Sequence, residues 1–323
     1  MYKMLFKNIS ILVIVVIFSS NCFSQYTDVI NSNRPGESMS AFSVGKTLFQ
    51  TELGVSKIKE NHNVLGYDAN GYVMDFALRY GMLASEFELI TNVQYQSDNY
   101  VFGNFENKRA GNRKFIIGGK YLFYDPYKKI EKPNLYSWKA NHSFKWKRLI
   151  PAISGYVGLN FNFSDNLFSP VIQPPFTPKI MLITQNQFSG AQVFVMNFYI
   201  DNASSENSTM GYVLTYTKGF NDHWSAFLEN KGFKSNFYSD GIATGGVAYL
   251  FDKSKQVDIS VSKSFKNTPS VLYGEIGFSW RFDGNYKPDK VKVAKNKKSK
   301  SASKKDKAKE AEKKRIEEAG PKK

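Results

Sequence analysis

The chain has 323 residues, 15% of them aromatic, a single cysteine and a formal net charge of +16. One cysteine excludes a disulfide-stapled fold and a cysteine-rich zinc site. High aromatic content beside a slightly negative mean hydropathy is unusual for a soluble enzyme. It is expected of a membrane barrel, in which half of every strand is polar and rings gather at the lipid interfaces.

The charge is uneven. Residues 283–323 hold 16 Lys/Arg against 7 Asp/Glu, so +9 of the surplus lies there. Lys3 and Lys7 add two more, which leaves +5 for residues 25–282. The basic character belongs to a tail.

The chain opens with Lys3 and Lys7 ahead of an apolar run over residues 9–18, then small residues and Cys22-Phe23-Ser24 before Gln25. That run is short for a spanning helix and suits a signal peptide over residues 1–24. A lipoprotein anchored at Cys22 is the alternative, and Asn21 fits it poorly. Cleavage at Ser24 removes the only cysteine. No later segment is long and apolar enough for a transmembrane helix.

Residues 25–45 contain Asn33-Arg34-Pro35-Gly36-Glu37-Ser38. Pro and Gly there predict turns. Arg34 and Glu37 would either fold into a lumen as a plug or belong to an ordered periplasmic strap.

A first strand follows, with Thr47, Phe49, Thr51, Leu53 and Val55 on one face and Gln50, Glu52 and Ser56 on the other. Residues 57–70 are polar and read as a loop. The clearest pattern in the chain is residues 71–96. Tyr72, Met74, Phe76, Leu78 and Tyr80 oppose Val73, Asp75, Ala77 and Arg79; then Phe87, Leu89, Thr91, Val93 and Tyr95 oppose Glu86, Glu88, Asn92, Gln94 and Gln96. Period two means β-strand, since successive side chains point to opposite faces. An apolar, aromatic face backed by a charged one fits a sheet over a soluble core or a barrel with lipid outside and a wet lumen.

Residues 97–113 read as another polar loop. Strands are predicted over 114–124, 150–163, 180–187, 192–201, 210–218, 224–233, 241–251, 256–265 and 272–282. A long basic turn falls over 125–147 and a Pro-rich loop over 164–178. The result is about twelve strands, close to the ~9–11 residues that cross a bilayer, with short joints and longer loops alternating. The fold class expected is all-β, a closed antiparallel transmembrane barrel over residues 46–282. The last strand sets Leu272, Ile276, Phe278, Trp280 and Phe282 against Tyr273, Glu275, Ser279 and Arg281. An aromatic strand ending in Phe is similar to the insertion signal read by the barrel assembly machinery of the outer membrane, although 41 residues follow it here.

Residues 33–54, NRPGESMSAFSVGKTLFQTELG, resemble the start of the outer-membrane family labelled "MetA-pathway of phenol degradation". Arg34-Pro35, Glu37 and Ser38 match its opening, and Gln50, Glu52 and Gly54 match its first-strand Q-x-E-x-G. Val44 and Gly45 are adjacent, where the family spaces them. The hairpin around Leu78-Arg79-Tyr80-Gly81 and Glu86-Phe87-Glu88-Leu89 also looks like the family's. The resemblance implies a barrel, passage of a hydrophobic small molecule and no catalysis.

On the inward faces fall Glu52, Asp75, Arg79, Glu88, Lys120, Glu229, Lys231, Asp258, Glu275 and Arg281. Two readings stand for this set: a selective pore lining, or a salt-bridged interior that fixes the barrel's shape. His62, His142 and His223 are scattered over loops and turns, none on a strand. Neither a metal site, a cofactor nor a catalytic constellation is expected. The tail over 283–323 splits into a Lys/Ser-rich stretch and a marginally helical one. It is either a solvated tail or a periplasmic arm for an anionic partner such as peptidoglycan, lipid headgroups or an acidic protein. The expected partners are outer-membrane lipid, the assembly machinery and other outer-membrane proteins, and not nucleic acid. The expected location is the outer membrane of a Gram-negative bacterium. The expected function is a passive channel for small, including hydrophobic, molecules. The alternative is a non-transporting accessory subunit of a larger complex, docking through barrel wall and tail.

Overall fold

The computed structural model describes residues 29–128, 149–162, 167–169, 171–188 and 190–284. The signal segment, residues 129–147 of the predicted basic turn with His142, and the tail from residue 285 lie outside the described residues.

The strands are β1 (Phe49–His62), β2 (Tyr67–Gly81), β3 (Phe87–Phe102), β4 (Phe105–Tyr124), β5 (Ala152–Phe161) and β6 (Phe176–Phe188). They continue as β7 (Gln192–Asp201), β8 (Thr209–Gly219), β9 (Trp224–Lys234), β10 (Ser239–Asp252), β11 (Lys255–Ser264) and β12 (Ser270–Phe282). Each pairs antiparallel with its sequence neighbours, and β12 returns to β1 in a register running from Phe49↔Phe282 to Asn61↔Ser270. The barrel is closed with twelve strands. Closure removes the free edges whose amides and carbonyls would be costly in hydrocarbon.

Burial is inverted relative to a soluble protein. Leu228 is 69% exposed and Ile276 61%, whereas Glu88 and Arg79 are 0% exposed. Apolar side chains stand outward where lipid covers them, and ionic ones are enclosed. At the end where Phe49 meets Phe282, rings gather on the outer face. Phe49 stacks on Tyr80 at 4.2 Å, Trp280 lies 4.0 Å from Phe282, and Trp224 lies 4.8 Å from Tyr249. Such a girdle marks a membrane interface.

Two predicted loops are strand. Residues 57–62 and 67–70 extend the β1–β2 ladder, and residues 97–102 and 105–113 extend β3–β4, where β4 reaches 20 residues. The apolar alternation ends because these hairpins project past the hydrocarbon, where neither face needs lipid. The backbone ladder continues without it. A two-residue turn closes β3–β4, with Gly103 at a φ of 57° that favours glycine. Asp98 and Arg109, directly opposed in register, form a charge-assisted pair at 2.9 Å, and the guanidinium lies 4.5 Å over the Tyr100 ring. Likewise His62 ends β1 rather than lying in a loop, and its Nδ1 accepts a bond from Leu65 N at 3.1 Å. The Pro-rich loop ends at residue 175, since β6 already begins at Phe176.

Leu228→Arg places a cation on the lipid face of β9. It is expected to destabilise the barrel by about 2–4 kcal/mol, as for cations near the bilayer midplane. Urea unfolding in phospholipid vesicles measures this; an unchanged midpoint would place Leu228 away from lipid.

Candidate functional site: a strapped lumen and the cavity above it

Residues 29–48 are too rich in turn formers to join the ladder, and they lie inside the barrel. The strap enters beside the β10–β11 turn, where Ile30 N donates to Lys253 O at 2.7 Å, and leaves beside β2, where Thr47 N donates to Gly81 O at 2.8 Å. Between those points it runs around the inner wall and crosses the lumen.

Enclosed backbone groups outside a ladder need other partners. Wall side chains supply them. Glu229 accepts from Glu37 N at 3.0 Å and from Ser38 N at 3.2 Å. Asn197 brackets Met39, accepting from its N–H and donating to its carbonyl at 2.9 Å. Gln185 accepts from Ala41 N at 2.9 Å, and Ser154 donates to Ala41 O at 2.6 Å. Lys120 donates to Ser40 O and Phe42 O, Glu88 accepts from Val44 N at 2.8 Å, and Arg79 donates to Asn31 O at 2.6 Å.

The first-strand residues that carry the family resemblance take a physical role here. Gln50 donates to Asn31 O at 3.2 Å and Glu52 accepts from Asn33 N at 3.2 Å. Gly54 on β1 pairs with Gly277 on β12, and the Arg34 guanidinium lies across both. A Cβ at either position would collide with it. The arginine then reaches Glu275 at 2.7 Å and Asp258 at 3.3 Å. Glu37, three residues on, pairs with Lys231 at 2.6 Å.

The inward charges fall into three groups. Toward the terminal end, Arg79 sits between Glu52 (3.2 Å) and Glu88 (3.0 Å), and Lys120 meets Glu88 at 2.6 Å. Two cations and two carboxylates balance there, and they hold the strap. Arg281 lies at the rim on Asp283 at 2.7 Å. Asp75, Glu229, Lys231 and Glu275 border a cavity further in, with Asp258 beside Glu275 on Arg34.

That half of the lumen also carries an apolar cluster beside the charges. Met39, Ala41 and Phe42 of the strap pack with inward-facing Ile90, Ile116, Leu122, Tyr156, Met181 and Ile183. The strap fills the cross-section and lets apolar side chains bury there. Sequence reasoning missed Gln185, Asn197 and Ser154. They are neutral, so nothing in composition set them apart; only their inward place in the period-two pattern marks them.

On the far side of the strap lies a cavity of about 740 Å³. Its floor includes Arg34, Pro35, Gly36, Glu37 and Met39. Its mouth is edged by Phe168, Val171 and Ile172 before β6, by Phe237 and Tyr238 between β9 and β10, and by Pro269 before β12. It therefore opens at the end opposite Phe49 and Phe282.

Arg79→Met leaves Glu88 and Glu52 short of a cation in an enclosed site. Such a break costs about 3–5 kcal/mol, which denaturant unfolding in vesicles reads. A loss below about 1 kcal/mol, the scale of an exposed pair, would mean that water reaches this network.

No curated protein matches the sequence. Among solved structures, the COG4313 outer membrane channel from Pseudomonas putida F1 has a TM-score of 0.52 at 8% identity, covering 78% of this chain and 100% of that one. The KdgM porin scores 0.40 at 12% identity, covering 71% and 99%. The CymD monoaromatic hydrocarbon channel scores 0.39 at 12%, covering 73% and 89%. These are channels and porins rather than enzymes. At such identities the first likeness speaks for an outer-membrane barrel fold and the other two are too distant to add to it. The family model described as "Putative MetA-pathway of phenol degradation" matches residues 32–282. Since that match runs from the strap through all twelve strands, the chain belongs to this family.

Proposed function

We propose that the protein is a passive outer-membrane channel for small, partly hydrophobic molecules, with the strap as its periplasmic closure. The observation that carries this reading is the cavity above the strap. It lies within the barrel, opens toward the outer loops, and is floored by one irregular segment rather than by a strand or a domain. The lining is mixed. Phe233, Ile242 and Tyr273 offer apolar surface, while Asp75, Lys114 and Lys231 offer charge. The volume suits a small organic molecule and not a folded or polymeric cargo.

With the start of β1 and the end of β12 both at the periplasmic side, a solute entering from outside passes the mouth and reaches Arg34 and Glu37 at the floor. The strap's attachments are side-chain hydrogen bonds, three ionic contacts and a backbone bond at either end, not a continuous ladder. A segment held in this way leaves its seat at lower cost than a strand leaves a sheet. Opening is therefore assigned to the strap, with the twelve-strand wall as fixed frame.

Liposome swelling tests this. The full-length barrel is expected to pass a small neutral sugar slowly. A variant lacking residues 31–45, shown by circular dichroism to retain its β content, is expected to pass it several-fold faster. A deletion variant that folds and stays impermeable would sink the reading.

A further inference from the structure

Resting on the channel reading, we propose that a notch in the inner wall binds a small organic cation with a planar head, an amidinium or guanidinium. The strap's own Arg34 fills that notch and competes for it. Asp75 of β2 lies opposite Gly54 of β1, Gly54 opposite Gly277 of β12, and Gly277 opposite Asp258 of β11. One level of four neighbouring strands thus reads carboxylate, glycine, glycine, carboxylate. Glu275, two residues along β12 toward the mouth, adds a third carboxylate. The two glycines leave a bare floor, and the Arg34 guanidinium lies over it. A Cβ on Gly54 would meet its Nη1, and one on Gly277 its Nε and Nη2. A bare floor between acids suits a planar cation, whose edge N–H groups reach the carboxylates.

Arg34 fits this seat incompletely. A single nitrogen, Nη2, serves both Glu275 at 2.7 Å and Asp258 at 3.3 Å. Its enclosed Nε has no hydrogen-bond partner among the described residues. Neither has the second carboxylate oxygen of Asp258, whose side chain is 0% exposed. An enclosed donor and an enclosed acceptor are left unmatched at one site, and each has lost its hydration. Arg34 N donates to Ser32 Oγ at 3.0 Å, and Arg34 O accepts from Gln256 Nε2 at 3.3 Å. Those bonds fix the angle from which the side chain arrives. A free amidinium has no such tether and can present two parallel N–H groups to one carboxylate.

Charge points the same way. Three carboxylates meet one cation at the notch, and around the whole cavity eight carboxylates face four cations. Asp75 accepts from the neutral Gln94 and pairs with no cation among the described residues. Toward the mouth the same strands turn apolar. Val73 lies two residues along β2 from Asp75, and Ile58 opposes Tyr273 across β1 and β12. All three line the cavity. A ligand with its head in the notch lays a flat apolar body against them. A metal ion would leave that surface unused, and a neutral aromatic would leave the acids without a counter-charge. Occupation by a solute cancels two of the strap's three ionic contacts, so the ligand favours the unseated strap.

The test uses full-length protein in detergent micelles at low salt, with benzamidine as probe and benzamide as its neutral counterpart. Ligand-observed NMR gives affinities for wild type, Arg34→Ala, and Arg34→Ala combined with Asp258→Asn or with Gly54→Ala. Removing the competitor is expected to strengthen benzamidine binding about tenfold over wild type. Asp258→Asn then takes away a charge-assisted contact, and Gly54→Ala fills the notch without touching a charge. Each is expected to weaken benzamidine about tenfold relative to Arg34→Ala alone. Benzamide is expected to bind all four proteins weakly and alike. Where circular dichroism shows that Arg34→Ala does not fold, Arg34→Gln takes its place under the same expectations. Benzamidine that binds wild type and Arg34→Ala equally, ignores Asp258→Asn or Gly54→Ala, or does no better than benzamide would overturn the assignment.

Swelling with the neutral sugar separates this result from the channel reading. If sugar passes while benzamidine ignores the notch, the channel stands and the cation site falls. If no sugar passes while benzamidine binding depends on Gly54 and Asp258, the site stands and passage falls.

Discussion

Polar backbone in a membrane must find its hydrogen bonds within the protein. The wall of this barrel does so through ladders that close on themselves, β12 onto β1. The strap inside does so through the wall's side chains. Glu229, Asn197, Gln185, Lys120 and Glu88 each meet backbone groups of residues 37–44. The inner face of the wall is thus largely a receptor for twenty residues of its own chain, and what is left over becomes the cavity.

That division gives the inward charges two roles. Those toward the terminal end, Arg79, Glu88, Lys120 and Glu52, form a balanced and enclosed network that holds the strap's shape. Those above it border space in which a ligand fits. Arg34 and Glu37 belong to both sets: each is a tether of the strap and part of the cavity floor. A solute that competes for Glu275 or Lys231 therefore acts on the same contacts that keep the segment seated. On the proposed reading, binding and opening would draw on one set of ion pairs, which is what would couple them.

Much of this was legible beforehand. Lipid requires one apolar face on every strand, and strand geometry turns that demand into a period of two. Residues 71–96 show it, so the barrel, the outward row of Tyr72, Met74 and Phe76, and the inward place of Asp75, Arg79 and Glu88 could all be read. The hairpin extensions at 57–70 and 97–113 could not. Above the membrane no face is selected for hydrocarbon, and the ladder leaves no hydropathy signature. Gln185 and Asn197 were equally silent, because a neutral amide on an inner face does not reveal what it will bond.

Which side chains look outward was already set along the chain, since lipid acts on each residue separately and its demand is written locally. What the inward ones meet depends on how the strands and the strap come together. Gly54 and Gly277 lie at opposite ends of the barrel sequence and become a bare notch for Arg34 only when β1 and β12 pair. Lys231 is one lysine among many until Glu37 of the strap is seen to meet it. Contacts of that kind arise when β12 closes onto β1 and when the strap crosses the lumen, and no local pattern encodes which wall residue the strap will meet.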